Sequence, residues 1–199
     1  QSNEVLLQPI YISVDPYMRS RMSGSKSYVA LSEVNAPLSG GVVAKVIQSN
    51  SPKFKPNDTV VGMLPWATTC IASDKDLTKT FPGIPESYHL GIVGMPGMTA
   101  YFGLTDICAP KKGETVVVSG AAGAVGTVVG QIAKIKGCKV IGIAGSDEKN
   151  KLIIDKFGYD KAINYKTEDV DEMLDKYCPD GIDCYYDNVG GAITDSVIA

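Results

Sequence analysis

The stretch Thr115–Gly126, with the sequence TVVVSGAAGAVG, decides the fold. It begins with a run of β-branched residues, which favours a buried strand, and passes directly into glycines at positions 120, 123 and 126. An apolar stripe at helical spacing starts at its end and consists of Val125, Val128, Val129, Ile132 and Ala133. A strand, a glycine-rich turn and an amphipathic helix in this order predict the first half of a βαβ unit.

The spacing of these glycines, G-x-x-G-x-x-G, is a variant of the dinucleotide-binding pattern G-x-G-x-x-G. Small residues let the backbone turn sharply and approach a pyrophosphate, while free amides and the dipole at the helix start hold its negative charge. Close packing of a strand on a helix also selects glycine, so the spacing alone is weak evidence. Its position between a strand and an amphipathic helix favours a dinucleotide site.

Three further strand candidates follow, namely Lys139–Ala144, Ala162–Asn164 and Ile182–Tyr186. The strands start about two dozen residues apart with helical patterns between them, as repeated βαβ units require. We expect Gly137 to end the first helix and Ser146 to cap the second. The pattern predicts a doubly wound parallel sheet of the Rossmann type, with helices on both faces.

The end of the second strand bears on the choice of cofactor. Sites specific for NAD place an Asp or Glu there to hold the ribose hydroxyls. Here the strand ends in Ala144-Gly145-Ser146, followed by two acidic residues and then Lys149. A neutral strand end with a nearby cation suits the 2′-phosphate of NADP. Lys149 could equally be a solvated lysine on the surface of a helix. The residues alone leave both interpretations open.

Asn188 follows the fourth strand candidate, within the run Tyr186–Gly191 (YDNVGG). Ligands of open α/β sheets bind outside the carboxyl ends of the strands, and Gly190 and Gly191 would let a cofactor approach. A simple turn, in which Asn and Gly supply unusual backbone angles, explains these residues equally well.

Residues 1–95 have a different pattern, rich in Pro, Gly and short β-branched runs. The strand candidates in this half are Val5–Leu7, Ile10–Val14, Gly41–Ile47 and Thr59–Met63. Turn formers such as Pro56-Asn57-Asp58 separate them. This half is therefore predicted to be a compact β-rich unit.

Composition limits the classes of partner. The net charge is −3 without any block of basic residues, so no nucleic-acid partner is expected. No apolar run approaches the ~20 residues that span a bilayer and no signal-peptide pattern occurs, so no membrane partner is expected. Five irregularly spaced cysteines and one histidine match neither a disulfide framework nor a zinc site. We expect a cytoplasmic protein without a bound metal.

Four segments resemble one known family: Ser13–Arg19 (SVDPYMR), Gly94–Tyr101 (GMPGMTAY), Lys112–Gly126 and Asp187–Gly191 (DNVGG). They resemble the zinc-free medium-chain reductases, in the branch of the prostaglandin, leukotriene, curcumin and plant alkenal reductases. The combination of DPYMR and GMPGMTAY with this glycine loop is highly specific, and the similarity extends over nearly the whole chain.

The resemblance implies an α/β protein with a GroES-like β-barrel as catalytic domain over residues 1–95. A Rossmann-type NADP-binding domain would follow over residues 96–199. Both domains are expected to be incomplete, because members of this family are much longer and we expect the chain to be part of such a protein. The implied activity is NADPH-dependent reduction of the carbon–carbon double bond of an α,β-unsaturated ketone or aldehyde, by hydride transfer to the β-carbon.

The resemblance also implies roles for individual residues. Those that match the pyrophosphate cradle of the family are Ala122, Gly123, Ala124 and Val125. Lys149 and Tyr165 match the residues that hold the 2′-phosphate, and Asn188 matches one that contacts the cofactor near its nicotinamide side. The methionine-rich turn around Met95 and Thr99 is expected to lie by the nicotinamide.

Tyr17 matches a tyrosine that lines the substrate pocket in this family. A phenol donates a hydrogen bond while neutral at pH 7, so Tyr17 is the candidate donor to the substrate oxygen. The simpler interpretation is a barrel tyrosine packed beside Pro16.

Two alternatives stay open, a quinone reductase of the same superfamily and a non-catalytic nucleotide-binding fragment. A zinc alcohol dehydrogenase is excluded because the chain lacks the Cys and His ligands it needs. The expected partners are a small-molecule enone or enal and, for the full-length protein, a second copy in a homodimer.

Overall fold

The structure is a computed structural model that describes residues 2–23 and 31–199. The chain divides into two compact units, Gln1–Gly94 and Met95–Ala199. Over the described ranges, none of the helices combines the length and the apolar character that crossing a bilayer requires.

The first unit is built on a curled antiparallel sheet of five strands in the order β4-β1-β2-β3-β5. The strands are β1 (Glu4–Ile12), β2 (Ser39–Ser49), β3 (Thr59–Pro65), β4 (Cys70–Ser73) and β5 (Leu77–Lys79). A short helix α1 (Tyr17–Met22) follows β1, and a 3₁₀ helix spans Glu86–Leu90. Val5 and Leu7, two residues apart on β1, are fully buried, as expected of one strand face that packs on a core.

The prediction of two separate strands over Val5–Leu7 and Ile10–Val14 was wrong. A single strand, β1, runs through Pro9 and ends at Ile12, before Val14. Proline cannot donate a ladder hydrogen bond, but the register between β1 and β2 shifts between Pro9 and Tyr11, and this irregularity accommodates it. Strands β4 and β5 were not predicted, because strands of four and three residues are too short to show an alternation of apolar and polar residues.

The second unit contains a parallel sheet of four strands in the order β8-β7-β6-β9. The strands are β6 (Thr115–Ser119), β7 (Lys139–Ala144), β8 (Lys161–Asn164) and β9 (Cys184–Tyr186). This is the arrangement of a Rossmann half followed by the first strand of the other half, and the strand order reverses between β6 and β9. In open sheets of this kind, a crevice lies outside the carboxyl ends of the strands at such a point.

Helices cover both faces of this sheet, as the sequence predicted. They are α2 (Met95–Phe102), α3 (Ala124–Ile135), α4 (Asp147–Phe157), α5 (Val170–Tyr177) and α6 (Ala192–Ile198), and a π-helical turn, Gly103–Cys108, follows α2. Val116 and Val118 of β6 pack in the core with α2, α3 and α4, whereas Val117 between them packs with α5 and α6.

Two of the predicted helix boundaries are confirmed. Gly137 follows α3 with a φ of +81°, the left-handed conformation that ends a helix, and Ser146 accepts a hydrogen bond from the Lys149 amide at 3.3 Å. The expectation of a turn around Met95 and Thr99 was wrong, because the segment is helix α2. Its proline, Pro96, stands in the first turn, where a missing amide hydrogen costs nothing.

Tyr159 fixes α3 against the sheet. The space that a Cβ on Gly130 of α3 would occupy is taken by the ring of Tyr159. The hydroxyl of Tyr159 donates a hydrogen bond to the carbonyl of Gly126 at 2.7 Å, in the first turn of the helix. Burial raises the pKa of this phenol, so it remains a donor at all ordinary pH values.

We predict that Gly130→Ala destabilises the protein, because the new methyl group overlaps the Tyr159 ring inside a packed core. The free energy of unfolding should fall by about 1–3 kcal/mol in urea titrations, even though alanine is the better helix former. Gln131→Ala, at the next and exposed position of α3, is the matched control and should leave the unfolding midpoint nearly unchanged. A Gly130→Ala protein as stable as the parent would contradict this packing.

Candidate functional site

A cleft of about 270 Å³ lies at the carboxyl ends of the parallel strands. It is lined by Gly120, Ala122, Gly123, Ala144, Gly145, Lys149, Tyr165, Lys166 and Val189. These residues belong to the segments that follow β6, β7, β8 and β9, except Ala144, which is the last residue of β7. Four residues that the sequence pointed to, Ala122, Gly123, Lys149 and Tyr165, are therefore brought together in one wall.

The wall that follows β6 is a tight glycine turn. Gly120 has a φ of +56°, and the amide of Gly123 donates to the Gly120 carbonyl at 2.9 Å. A Cβ on Gly126 would stand 2.5 Å from that same carbonyl oxygen, which excludes any side chain there. The turn therefore brings the start of α3 into direct backbone contact with the end of β6.

Helix α3 begins without a side-chain cap, because its cap residue is Gly123. The Thr127 amide is bonded to the Gly123 carbonyl at 3.0 Å. Across residues 2–23 and 31–199, no hydrogen bond satisfies the amides of Ala124, Val125 or Gly126. Three unsatisfied amides and the positive end of the helix dipole provide the chemistry that binds a phosphate group.

Tyr165 lies over the tip of β7. A Cβ on Gly145 would stand 2.9 Å from the phenol oxygen of Tyr165, so glycine at this position leaves room for the ring. The first acidic residue after β7, Asp147, is engaged elsewhere, since its carboxylate accepts a hydrogen bond from Asn164 Nδ2 at 2.7 Å. The buried Asn164 thereby ties the start of α4 to the end of β8.

Two lysines, Lys149 and Lys166, give this part of the cleft its positive charge. No acidic side chain lines the cleft, and within the described ranges neither ammonium group forms an ion pair. Lys166 was missed by the sequence reasoning, although it follows Tyr165 directly. Its backbone amide donates to Asn164 Oδ1 at 3.2 Å, which fixes the turn that carries both residues.

Asn188 lies beside the cleft but does not line it. Its backbone amide donates to Ser119 Oγ at 2.8 Å, and its side-chain Nδ2 donates to the Ser119 carbonyl at 2.9 Å. Ser119, the last residue of β6, is fully buried. Asn188 thus spans the two strands between which the strand order reverses.

Asp187, the residue before Asn188, is a hydrogen-bond acceptor for five donors. Its Oδ1 accepts from Ser119 Oγ at 2.9 Å, from the Tyr185 hydroxyl at 3.1 Å, and from the amides of Val189 and Gly190 at 2.9 and 2.8 Å. Its Oδ2 accepts from Thr194 Oγ1 at 2.6 Å. Burial by itself would raise the pKa of Asp187, but these hydrogen bonds outweigh it and hold the pKa well below the ordinary value.

The remaining predicted residues, Met95, Thr99 and Tyr17, are not among those that line the cleft. Thr99 Oγ1 bonds to the Met95 carbonyl at 2.8 Å within α2, and the Thr99 carbonyl accepts from the Tyr186 hydroxyl at 2.7 Å, which ties α2 to β9. Tyr17 is the first residue of α1 in the other unit and is half-buried. Burial and the nearby Asp15 carboxylate raise the pKa of its phenol.

Comparison with known proteins shows matches to two families. Residues 1–80 match the family described as N-terminal domain of oxidoreductase, and residues 124–199 match the one described as zinc-binding dehydrogenase. Among the residues that the structure describes, no group of three or more His, Cys, Asp and Glu side chains is placed to hold a metal ion.

The chain is 51% identical, over 99% of its length, to the NADP-dependent 2-alkenal reductase of Nicotiana tabacum. It is 48% identical, also over 99%, to prostaglandin reductase 1 of Sus scrofa. The chain resembles the zinc-free branch of the medium-chain dehydrogenases/reductases, and these family models and relatives match that branch. It spans 59% of the length of each of these two relatives.

Solved structures of this family have the same fold. The crystal structure of CurA from Vibrio vulnificus in complex with NADPH superposes with a TM-score of 0.92 at 44% identity, over 100% of this chain and 59% of that one. The combination of a GroES-like unit with a Rossmann-type unit, each present in part, is thereby confirmed.

The Asp187 carboxylate should make stability depend on pH. A group whose pKa is lowered in the folded state contributes stability that is fully present above its unfolded pKa of about 3.9 and is lost as the pH falls further. We predict that Asp187→Asn lowers the urea midpoint at pH 7, and that the difference from the parent shrinks as the pH falls from about 4 to 2.

The matched control for this prediction is Asp195→Asn, at an exposed position of α6. It should follow the parent curve across the same range. A difference between parent and Asp187→Asn that stayed constant down to pH 2 would show that the charge on Asp187 does not stabilise the loop.

Proposed function

We propose that the protein is an NADPH-dependent reductase of carbon–carbon double bonds conjugated to a ketone or aldehyde. The observation that carries the proposal is the cleft at the carboxyl ends of the strands, where helix amides and two lysine ammonium groups come together, none of them with a partner among residues 2–23 and 31–199. The names of three relatives support the proposal: 2-alkenal reductase, NADPH-dependent curcumin reductase and prostaglandin reductase 1.

The residues present fit this cofactor. Glycines at 123 and 126 keep the turn free of side chains, so that Ala122, Gly123, Ala124 and Val125 would hold the pyrophosphate through their backbone. Lys149, Lys166 and the Tyr165 hydroxyl would hold the 2′-phosphate, because a dianion needs cations and donors and no carboxylate opposes it in this wall.

We assign residues 1–95 to the catalytic domain and residues 96–199 to the cofactor domain. When bound, NADPH supplies the hydride that adds to the β-carbon of the substrate. Asn188 would contact the nicotinamide side of the cofactor, and Met95 and Thr99 of α2 would lie near it. Tyr17 would donate a hydrogen bond to the carbonyl oxygen as negative charge develops there. Its raised pKa supports this role, because the phenol stays protonated through neutral and mildly alkaline pH.

The partners we propose are a small enone or enal as substrate and a second copy of the chain in a homodimer. The small-molecule substrate is supported by the relatives, and the homodimer by the family resemblance. We also propose a cytoplasmic location, since all five cysteines are free, as in a reducing compartment.

We predict that Lys149→Ala and Lys166→Ala each weaken NADPH binding by about tenfold, since each removes one charged contact to the 2′-phosphate. Binding of NADH, which lacks this phosphate, should change little. Cofactor fluorescence titrations measure both constants. Lys151→Ala is the control on the same helix, because Lys151 pairs with Asp155 at 2.6 Å and does not line the cleft. Equal losses for NADPH and NADH would contradict the assignment of the lysines.

Tyr17→Phe should lower kcat for an enal such as 4-hydroxynonenal on the order of 100-fold, as removal of an oxyanion donor does, while the Kd for NADPH stays the same. NADPH oxidation followed at 340 nm measures the rate. Tyr11→Phe, at an exposed position of β1, is the control. An undiminished kcat for Tyr17→Phe would leave Tyr17 as a packing residue only.

A further inference from the structure

We propose that Asp187 is a positioning residue that aims the side chain of Asn188 at the nicotinamide half of the cofactor, with the hydroxyl of Ser119 as the link between them. The inference rests on the proposed function, because it concerns the same cofactor. It assigns roles to Asp187 and Ser119, neither of which has to touch the cofactor.

The direction of each hydrogen bond in this link is fixed by chemistry. A carboxylate has no proton to give, so Ser119 Oγ must donate its only hydrogen to Asp187 Oδ1, at 2.9 Å. The lone pairs of the same oxygen are then free to accept from the backbone amide of Asn188, at 2.8 Å. Because Ser119 is fully buried, water cannot replace either partner.

The orientation of the Asn188 amide follows from the next contact. The carbonyl of Ser119 can only accept, so the group that faces it at 2.9 Å is the side-chain nitrogen of Asn188. Asn188 Oδ1 therefore points elsewhere as an acceptor, and it has no partner within residues 2–23 and 31–199. Such an acceptor at the switch point between β6 and β9 fits a hydroxyl or a primary amide, and the nicotinamide half of the cofactor carries both.

Asp187 also fixes the loop on the far side of Asn188. Its Oδ1 accepts from the amides of Val189 and Gly190, which folds the loop around the carboxylate. Gly190 and Gly191 both have positive φ, at +75° and +67°, which allows this tight turn. The bond from Thr194 to Oδ2 joins the loop to α6 without involving Ser119 or Asn188. The Thr194 bond therefore supports the loop, whereas the Ser119 bonds orient Asn188, and the two can be removed separately.

The test compares two ligands on the same protein, NADPH and 2′,5′-ADP, by isothermal titration calorimetry. The second ligand carries the adenosine and the 2′-phosphate but lacks the nicotinamide half. We expect Asp187→Ala and Ser119→Ala each to weaken NADPH on the order of tenfold and to leave 2′,5′-ADP unchanged. The double variant should lose no more than either single one, because both changes break the same link.

Two further variants separate positioning from mere support of the loop. Thr194→Val should lower the melting temperature and leave NADPH affinity at the parent value. Asp187→Asn keeps an acceptor oxygen for Ser119 and should recover most of the affinity that Asp187→Ala loses.

The outcomes decide between the two proposals. Parent protein that binds neither ligand would overturn the proposed function and this inference with it. If the parent protein binds NADPH, three results would overturn the inference alone. They are equal losses of affinity for both ligands in Asp187→Ala, an NADPH affinity of Ser119→Ala equal to that of the parent, and a double variant whose loss is the sum of the two single losses.

Discussion

The contact on which the second unit depends is that of the first turn of α3 with the backbone of Gly120 and Ala121. Gly126 comes so close to them that no side chain fits between. The helix therefore starts directly above the end of β6, and its free amides stand at the edge of the cleft. Tyr159 secures the same turn from within the core, through its hydrogen bond to the Gly126 carbonyl.

The charge that the cleft offers to a ligand depends on which of the acidic and basic side chains near the strand ends already have partners. Asp147 is satisfied by Asn164, and Asp187 by five donors, two of which are amides of its own loop. Lys149 and Lys166 line the cleft without an ion pair among the described residues. The acidic residues near the strand ends thus organise the backbone, and the lysines are left for an anionic ligand.

The resemblance and the periodicity together predicted much of the architecture. Local periodicity predicted three features, because each has its own repeat along the sequence: the run of valines in β6, the glycine turn and the apolar stripe of α3. The start of α4 was also predicted, because Ser146 is a local capping signal. The continuous strand β1 was not predicted. A proline inside a strand indicates a break unless the register of the neighbouring strand is known.

For the site, the sequence by itself determined which kinds of group are available: a glycine turn before a helix, a neutral tip on β7, and Lys149, Tyr165 and Asn188 near strand ends. Only the tertiary structure decided that Lys166 joins them in one wall and that Ser119 links Asp187 to Asn188. These relations join residues from different strands, up to 69 positions apart. A local pattern cannot encode them, because parallel strands far apart in sequence come together only when the sheet forms.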